Sequence, residues 1–232
     1  MPILSLDPRL KAVVDRVRPG SRVADIGTDH GYVLAHLLMS GKCPSAIAAD
    51  IADGPLESAR QNLTGMRPGS VSFMRCDGLS GIDPGQVDDI IIAGMGGELI
   101  ARILADASGF HIPDKRFVLQ PMTRTHKLRR YLCEAGFAIM EEHPVISAGR
   151  AYTVLSCAFT GEKSAFGDAF YYIGRLPLPP DEAGRMLLAK TRDALLKERA
   201  GIIPSRPDAA QAYSDIITSI ENAIQGGDPY GP

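Results

Sequence analysis

The stretch Val23-Ala24-Asp25-Ile26-Gly27-Thr28-Asp29-His30-Gly31-Tyr32 joins an apolar, strand-like run to a helical run through two glycines and two acids. Glycine at the point where a strand gives way to a helix lets the backbone turn sharply and lets a ligand approach the main chain closely. The stretch therefore predicts an α/β fold that receives a nucleotide-shaped ligand at the carboxyl end of its first strand.

The charge of this turn narrows the choice of ligand. The dinucleotide fingerprint G-x-G-x-x-G seats a pyrophosphate on its glycines, but Asp29 stands where the second glycine would be. A carboxylate there repels a diphosphate and attracts a cation. S-adenosylmethionine carries a sulfonium and an ammonium group without a phosphate, so we expect an enzyme that uses it as cofactor. A nicotinamide oxidoreductase is the alternative that Asp29 disfavours most.

Length and composition indicate one main domain with a small second one. The chain has 232 residues and a net charge of −2, so any binding of nucleic acid requires a local basic patch. The start of the sequence lacks the regions of a signal peptide, and no apolar run is long enough to span a bilayer. The four cysteines are scattered, without the spacing of metal ligands. We expect a cytoplasmic protein with reduced cysteines, no metal, no membrane contact and no obligate protein partner.

Strands and helices alternate through residues 1–160, which predicts a mostly parallel sheet covered by helices. The chain past residue 160 changes character, and residues 161–232 are predicted to form a C-terminal domain built on an antiparallel helix pair, with a loose tail after Gly226. The predicted strands are Val23–Ile26, Ala46–Asp50, Val71–Met74, Val87–Ala93, Phe117–Leu119, Phe137–Glu141 and Tyr152–Phe159.

Acids and glycines follow the second, third and fourth predicted strands. Asp50 is placed to grip ribose hydroxyls, and Asp77-Gly78 to meet an adenine amine while leaving room for the ring. Gly94-Met95-Gly96-Gly97 carries almost no side-chain polarity, so it would act through its backbone. The alternatives are ordinary turns: a capping aspartate at Asp50, a common Asp-Gly loop, and a tight strand-to-helix connection.

Five motifs resemble, in order, those of the bacterial tRNA adenine N1-methyltransferases that modify position 22 in the D-arm. The Ala-Gly-Met-Gly-Gly run is highly specific, whereas the glycine turn alone is not. The resemblance covers residues 6 to about 159, and the C-terminal helices resemble the family's coiled C-terminal domain more loosely. The motifs are Asp25–Tyr32, Gly54-Pro55, Asp77-Gly78, Ala93–Gly97 and Leu119-Gln120-Pro121.

The resemblance implies a Rossmann-like class I methyltransferase domain that converts S-adenosylmethionine to S-adenosylhomocysteine. The expected sheet has seven strands with the last one antiparallel, followed by a small C-terminal α-helical domain. The loop Ser147–Arg150 departs from the family because it lacks the acids expected before Tyr152, which puts a role for it in doubt. The implied cofactor contacts are Asp25, Gly27, His30, Asp50, Asp77, Gly78, Gly94 and Met95, and the predicted site also includes Thr28, Ile51, Ala93 and Gly96.

Adenine N1 has a free lone pair at neutral pH, so its methylation requires alignment rather than a strong base. The product is a cation, which a nearby carboxylate favours. We predict that Asp29 supplies this carboxylate, that His30 and Tyr32 shape the base pocket, and that Gln120 reads the adenine edge. The alternatives are that Asp29 only holds the cofactor ammonium and that the other three residues are structural.

A basic segment between residues 115 and 130 contains no acid. Such a cluster is what a nearly neutral protein needs to bind RNA phosphates, and an adenine hidden by pairing or stacking would be extruded into the site. The alternative is a solvated helix face. Lys115 and Arg116 belong to the segment, and the predicted tRNA contacts are Arg124, Lys127, Arg129 and Arg130.

Two other functions stay open at this point. A methyltransferase acting on a small molecule or a protein would use the same cofactor pocket and need no basic surface. A non-catalytic module that binds RNA or the cofactor would not need Asp29 and His30, so their presence disfavours it. Transfer of labelled methyl groups to tRNA distinguishes these functions.

Overall fold

A seven-stranded sheet forms the centre of the computed structural model, which describes residues 5–202 and 207–230. The strand order is β3-β2-β1-β4-β5-β7-β6, and β7 runs antiparallel to both of its neighbours while the other pairs are parallel. The predicted fold class is thereby confirmed. The strands are β1 (Val23–Ile26), β2 (Ala46–Asp50), β3 (Val71–Arg75), β4 (Asp89–Gly96), β5 (Arg116–Thr123), β6 (Phe137–Ser147) and β7 (Arg150–Phe159).

Helices cover both faces of this sheet. Ile90 and Ile92 of β4 pack in one apolar core together with residues of α4 and α5, whereas Ile91 packs in a second core with residues of α1 and α2. Successive residues of β4 thus face apolar cores on opposite sides of the sheet, which explains why its sequence is a continuous apolar run. The helices of the described segments are α1 (Pro8–Arg16), α2 (Tyr32–Met39), α3 (Asp53–Asn62), α4 (Gly97–Asp106), α5 (Thr125–Glu134), α6 (Asp168–Ile173), α7 (Glu182–Ile202) and α8 (Pro207–Ile224).

The order of the strands reverses between β1 and β4, which lie side by side although β2 and β3 separate them in the chain. Ligands of open α/β sheets bind at the carboxyl ends of the strands at such a point. The Gly27 turn follows β1, and the glycine run ends β4. A Cβ atom added at Gly27, whose φ is +77°, would clash with Met95 Cε. The two glycine segments therefore pack against each other.

Strand β4 is longer than predicted. The sequence places its end at Ala93, but pairing with β5 continues, with Met95 opposite Pro121 and Gly96 opposite Thr123. Two register shifts interrupt this last part of the ladder. The glycine run is thus the irregular end of a strand, since its backbone is held by β5 instead of being free in a loop.

The hairpin of β6 and β7 is also longer than predicted. Its strands extend to Ser147 and Arg150, and the turn between them consists of Ala148 and Gly149, with φ values of 48° and 70°. Two residues with positive φ form the tight hairpin turn that fits the twist of the strands. Pro144 fits within β6 because β6 lies at the edge of the sheet. The segment that lacks the family's acids is therefore a short turn.

The C-terminal helices have an apolar core of their own, formed by residues of α6, α7 and α8. Helix α6 was not predicted. The domain boundary at residue 160 stays a prediction. The prediction of a loose tail is wrong for the described residues up to 230, because Tyr230 Oη donates a 2.6 Å hydrogen bond to the Gly174 carbonyl. In the described part of the chain, no helix is long and apolar enough to cross a membrane.

Candidate active site

Asp25 places a buried carboxylate beneath the first glycine turn. Asp25 is 7% exposed and is the last residue but one of β1. Burial is the main cause that raises the pKa of Asp25 to about 6, while the nearby Thr28 opposes the shift and the charge of Asp50 adds to it. A positively charged ligand above the turn would stabilise the ionised carboxylate. This environment fits a cofactor that carries positive charge.

The ends of β2 and β3 contribute an acid and an apolar surface. Asp50 Oδ1 accepts a hydrogen bond from the Ala52 amide at 2.8 Å. This oxygen therefore stabilises the local turn, as in the alternative of a capping aspartate. Ile51 beside it is 62% exposed. Asp77 and Gly78 follow the neighbouring β3. A carboxylate next to an exposed apolar side chain suits an adenosine, with its hydroxyls and its flat ring.

Three predicted catalytic residues lie together on the first turn. His30 Nε2 is 3.4 Å from Asp29 Oδ2, and the rings of His30 and Tyr32 stack with centroids 5.2 Å apart. The Asp29 side chain is 78% exposed, so its carboxylate is available to a ligand. Asn62 fixes the turn by donating a 3.0 Å hydrogen bond to the His30 carbonyl. The structure therefore offers an accessible acid beside a pair of stacked rings.

Gln120 is engaged by the protein itself. Its fully buried side chain accepts hydrogen bonds at Oε1 from Arg9 Nη1 at 2.8 Å and from the Gly94 amide at 3.2 Å. Its Nε2 donates to the Pro121 carbonyl at 2.9 Å. The structural alternative is correct here, and the prediction that Gln120 reads the adenine edge does not fit these contacts.

Arg9 is a residue of the site that the sequence pattern does not indicate. The residue lies 111 positions before Gln120 in the chain and reaches the carboxyl ends of β4 and β5 through the fold. Its place in an amphipathic helix gives no local signal of this contact. Only the tertiary structure brings Arg9 into the site.

The predicted basic cluster divides into buried and exposed residues. Arg129 is 2% exposed and forms an ion pair of 2.7 Å with the buried Glu142, and its Nη1 donates to the Tyr171 and Tyr172 carbonyls. It is therefore a structural residue, and the prediction that it contacts RNA is corrected. Lys115 is likewise buried and donates to backbone carbonyls.

The other cations of the cluster face solvent. Each forms an ion pair: Lys127 with Glu98, Arg130 with Asp168 at 2.7 Å, and Arg124 with Glu198 at 4.0 Å. The side chains of all three cations are at least 44% exposed. Exposed ion pairs of this kind contribute little energy, so phosphates can replace the carboxylates. These three residues remain candidates for contact with RNA.

A cleft separates the start of α5 from α7 beside Arg124. His126 stacks on Tyr172 in its wall with ring centroids 4.5 Å apart, and Lys190 of α7 lines it from the opposite side. Burial, as the main cause, lowers the pKa of His126 to about 4, so the ring is neutral at pH 7. Within the described residues, no group of three or more His, Cys, Asp and Glu side chains could hold a metal ion.

Known proteins share this sequence pattern. The profile of a methyltransferase domain family matches residues 6–155, which contain the sheet and the site. A tRNA (adenine(22)-N(1))-methyltransferase of Bacillus subtilis is 32% identical over 197 residues, which are 84% of this chain and 80% of that protein. This chain belongs to the tRNA (adenine(22)-N1)-methyltransferase family.

Solved structures agree with the family assignment over most of the chain. The m1A22 tRNA methyltransferase of Bacillus subtilis superposes with a TM-score of 0.79 at 26% identity, covering 97% of this chain and 100% of that one. A Streptococcus pneumoniae protein solved in complex with S-adenosyl-L-methionine superposes with a TM-score of 0.74 at 28% identity, covering 93% and 98%. The C-terminal helices are thus part of the shared architecture.

Proposed function

We propose that this protein transfers the methyl group of S-adenosylmethionine to N1 of the adenine at position 22 in the D-arm of tRNA. One observation carries the proposal. The chain belongs to the methyltransferase family, and the exposed carboxylate of Asp29 lies on its turn after β1, where the strand order of the sheet reverses. A dinucleotide-binding fold has a glycine at this position. The site is therefore built for a cation and not for a diphosphate.

The cofactor would be held by the ends of β1 to β4. Asp25 and the Gly27 turn suit its charged amino acid part, Asp50 suits the ribose hydroxyls, and Ile51 with Asp77 suits the adenine. When bound, S-adenosylmethionine supplies an electrophilic methyl group on its sulfonium. The open backbone of Gly94 leaves room for the acceptor base, since a Cβ there would have only one atom at 4.0 Å.

Asp29 has the geometry to assist the acceptor. The adenine ring gains a positive charge as its N1–methyl bond forms, and an accessible carboxylate lowers the energy of that charge. Tyr32 and His30 present stacked rings next to it, on which an extruded adenine could pack. The residues act by alignment and electrostatics, because N1 has no proton to lose.

The tRNA backbone would contact the exposed cations Arg124, Lys127 and Arg130, at the start of α5 and along it. Arg124 lies where β5 ends and α5 begins, at the edge of the sheet that carries the glycine turns, and Lys127 and Arg130 follow it along α5. A tRNA substrate also implies action in the cytoplasm, where tRNA is modified.

The decisive experiment maps the modified nucleotide. Unmodified tRNA with adenine at position 22 is incubated with the protein and tritiated S-adenosylmethionine, and primer extension locates the product because N1 methylation blocks base pairing. We expect label and a stop at position 22, and neither in a matched transcript with guanine there. Label absent from tRNA, or placed at another nucleotide, would overturn the proposal and favour a different substrate.

Asp29→Asn tests the assigned role within the same assay. We expect turnover to fall about 100-fold, as for loss of one charge-stabilising group, while the dissociation constant for S-adenosylhomocysteine changes less than threefold. Calorimetric titration measures the second quantity. Equal losses in turnover and cofactor affinity would reduce Asp29 to a binding residue.

A further inference from the structure

Arg9 brings a positive charge to the acceptor side of the candidate site. Its side chain is 20% exposed, and its Nη1 donates a 2.8 Å hydrogen bond to Gln120 Oε1. The same oxygen accepts from the Gly94 amide at 3.2 Å. A single buried amide thus fixes both the guanidinium and the irregular end of β4.

Most N–H donors of Arg9 have no hydrogen-bond partner within the described residues. A guanidinium has five N–H donors, and Gln120 takes one of them. Asp7 Oδ2 forms an ion pair with Arg9 at 3.6 Å from Nη2, a distance that is longer than a hydrogen bond and leaves the Nη2 donors free. The nitrogens of Arg9 are not among the buried side-chain atoms without a hydrogen-bond partner in the described residues, so its free donors are accessible to a ligand. The fork geometry of arginine matches carboxylate and phosphate groups.

The free donors adjoin open space. Gly94 has φ +81°, and the one atom within 4 Å of a Cβ built there is Arg9 Nη1 at 4.0 Å. The ring of Tyr152 lies between two cations, with the Arg9 guanidinium carbon 6.0 Å and Lys190 Nζ 5.8 Å from its centroid. A group that enters beside Gly94 therefore meets Arg9, in a region where positive charge attracts anions.

We propose that Arg9 binds an oxyanion of the reactants beside Gly94, and that Gln120 is the positioning residue that aims the guanidinium. The inference rests on the proposed function, in which two groups share this chemistry: the carboxylate of the cofactor's amino acid part and a phosphate next to the target adenosine. Arg9 fixes one of these groups and so aligns the methyl donor with N1.

Binding measurements on Arg9→Gln separate the two sources. If Arg9 binds the carboxylate, the dissociation constant for S-adenosylhomocysteine rises about 10- to 100-fold, while that for 5′-methylthioadenosine, which lacks the carboxylate, stays constant. If Arg9 binds a phosphate, the dissociation constant for tRNA rises about tenfold, with a salt slope lower by about 1. Changes below twofold in all three constants would overturn the proposal.

Lys11→Gln is the matched control, since it removes one positive charge from the same helix at an exposed side chain paired with Asp15. It should leave all three constants unchanged. Arg9→Lys keeps the charge without the fork and should recover only part of the loss. A wild-type protein that binds neither S-adenosylhomocysteine nor tRNA would refute the proposed function and the Arg9 role together.

Gln120→Met tests the positioning role. It should raise the same dissociation constant as Arg9→Gln, and the double variant should be no weaker than Arg9→Gln alone, because both changes disable one contact. Additive losses would show that Gln120 acts independently of Arg9. If Gln120→Met lowers the melting temperature too far for binding assays, the Arg9 variants alone decide whether the oxyanion contact exists.

Discussion

Arg129→Met should destabilise the protein strongly while sparing its contacts with tRNA. The Arg129 guanidinium donates to both oxygens of Glu142, which is 0% exposed, and to two carbonyls of α6. Glu142 also accepts a 3.0 Å hydrogen bond from the Arg175 amide. The pair thus connects α5 and β6 of the methyltransferase domain to the segment that leads into the C-terminal helices.

The expected loss follows from the burial of the pair. Removing one partner of a buried ion pair leaves the other charge uncompensated, which costs about 3–5 kcal/mol. For a chain of this size each kcal/mol lowers the melting temperature by about 2–4 °C, so a fall of about 6–20 °C is expected. The double variant Arg129→Met with Glu142→Leu should recover part of it, because it leaves no unpaired buried charge. The Tyr171 and Tyr172 carbonyls and the Arg175 amide still lose their partners, which keeps the recovery incomplete.

Urea denaturation at 25 °C and thermal melts measure these changes. Arg130→Met is the control, because Arg130 lies on the same helix but its ion pair with Asp168 is exposed, and its loss should cost about 1 kcal/mol or less. The tRNA dissociation constant is measured well below the melting temperature. A stable Arg129→Met variant that no longer binds tRNA would refute the structural role and restore Arg129 as an RNA contact.

Further predictions concern the cofactor turn and the RNA surface. Gly27→Ala should weaken S-adenosylhomocysteine binding more than tenfold, because a Cβ at φ +77° strains the cofactor turn and displaces the end of the Met95 side chain beside it. Gly149→Ala is the control, since it also has positive φ but lies in the β6–β7 turn with no neighbour within 4 Å, and it should leave this binding unchanged. The pKa of Asp25 rises from 3.8 to about 6 on folding, so the folded state binds more protons between these values and stability falls by about 3 kcal/mol as pH rises through 6. Urea denaturation between pH 4 and pH 8 should show that Asp25→Asn removes this fall, and equal pH slopes for both proteins would contradict the argument. Arg124→Glu should raise the tRNA dissociation constant several-fold at 50 mM salt without changing cofactor affinity, and filter binding that shows no change would exclude Arg124 from the interface.

The sequence alone determined the features that depend on neighbours in the chain. The glycine turn after β1 and the alternation of strands and helices appear as predicted, and α1 begins with the local signals of an Asp7 cap and Pro8. Their causes are local: a side chain that satisfies a free amide, a backbone conformation open to glycine, and a period of apolar residues. The prediction that the site prefers a cation likewise rests on one residue, Asp29.

Tertiary structure decided which polar side chains are free to act. Gln120 and Arg129 were both assigned to the substrate from their type and position, yet one is held by Arg9 and the other by Glu142. Nothing in the local pattern distinguishes an exposed arginine of α5 from a buried one, because burial depends on segments that arrive from distant parts of the chain. The partners of a hydrogen bond across 111 residues exist only once the sheet has formed.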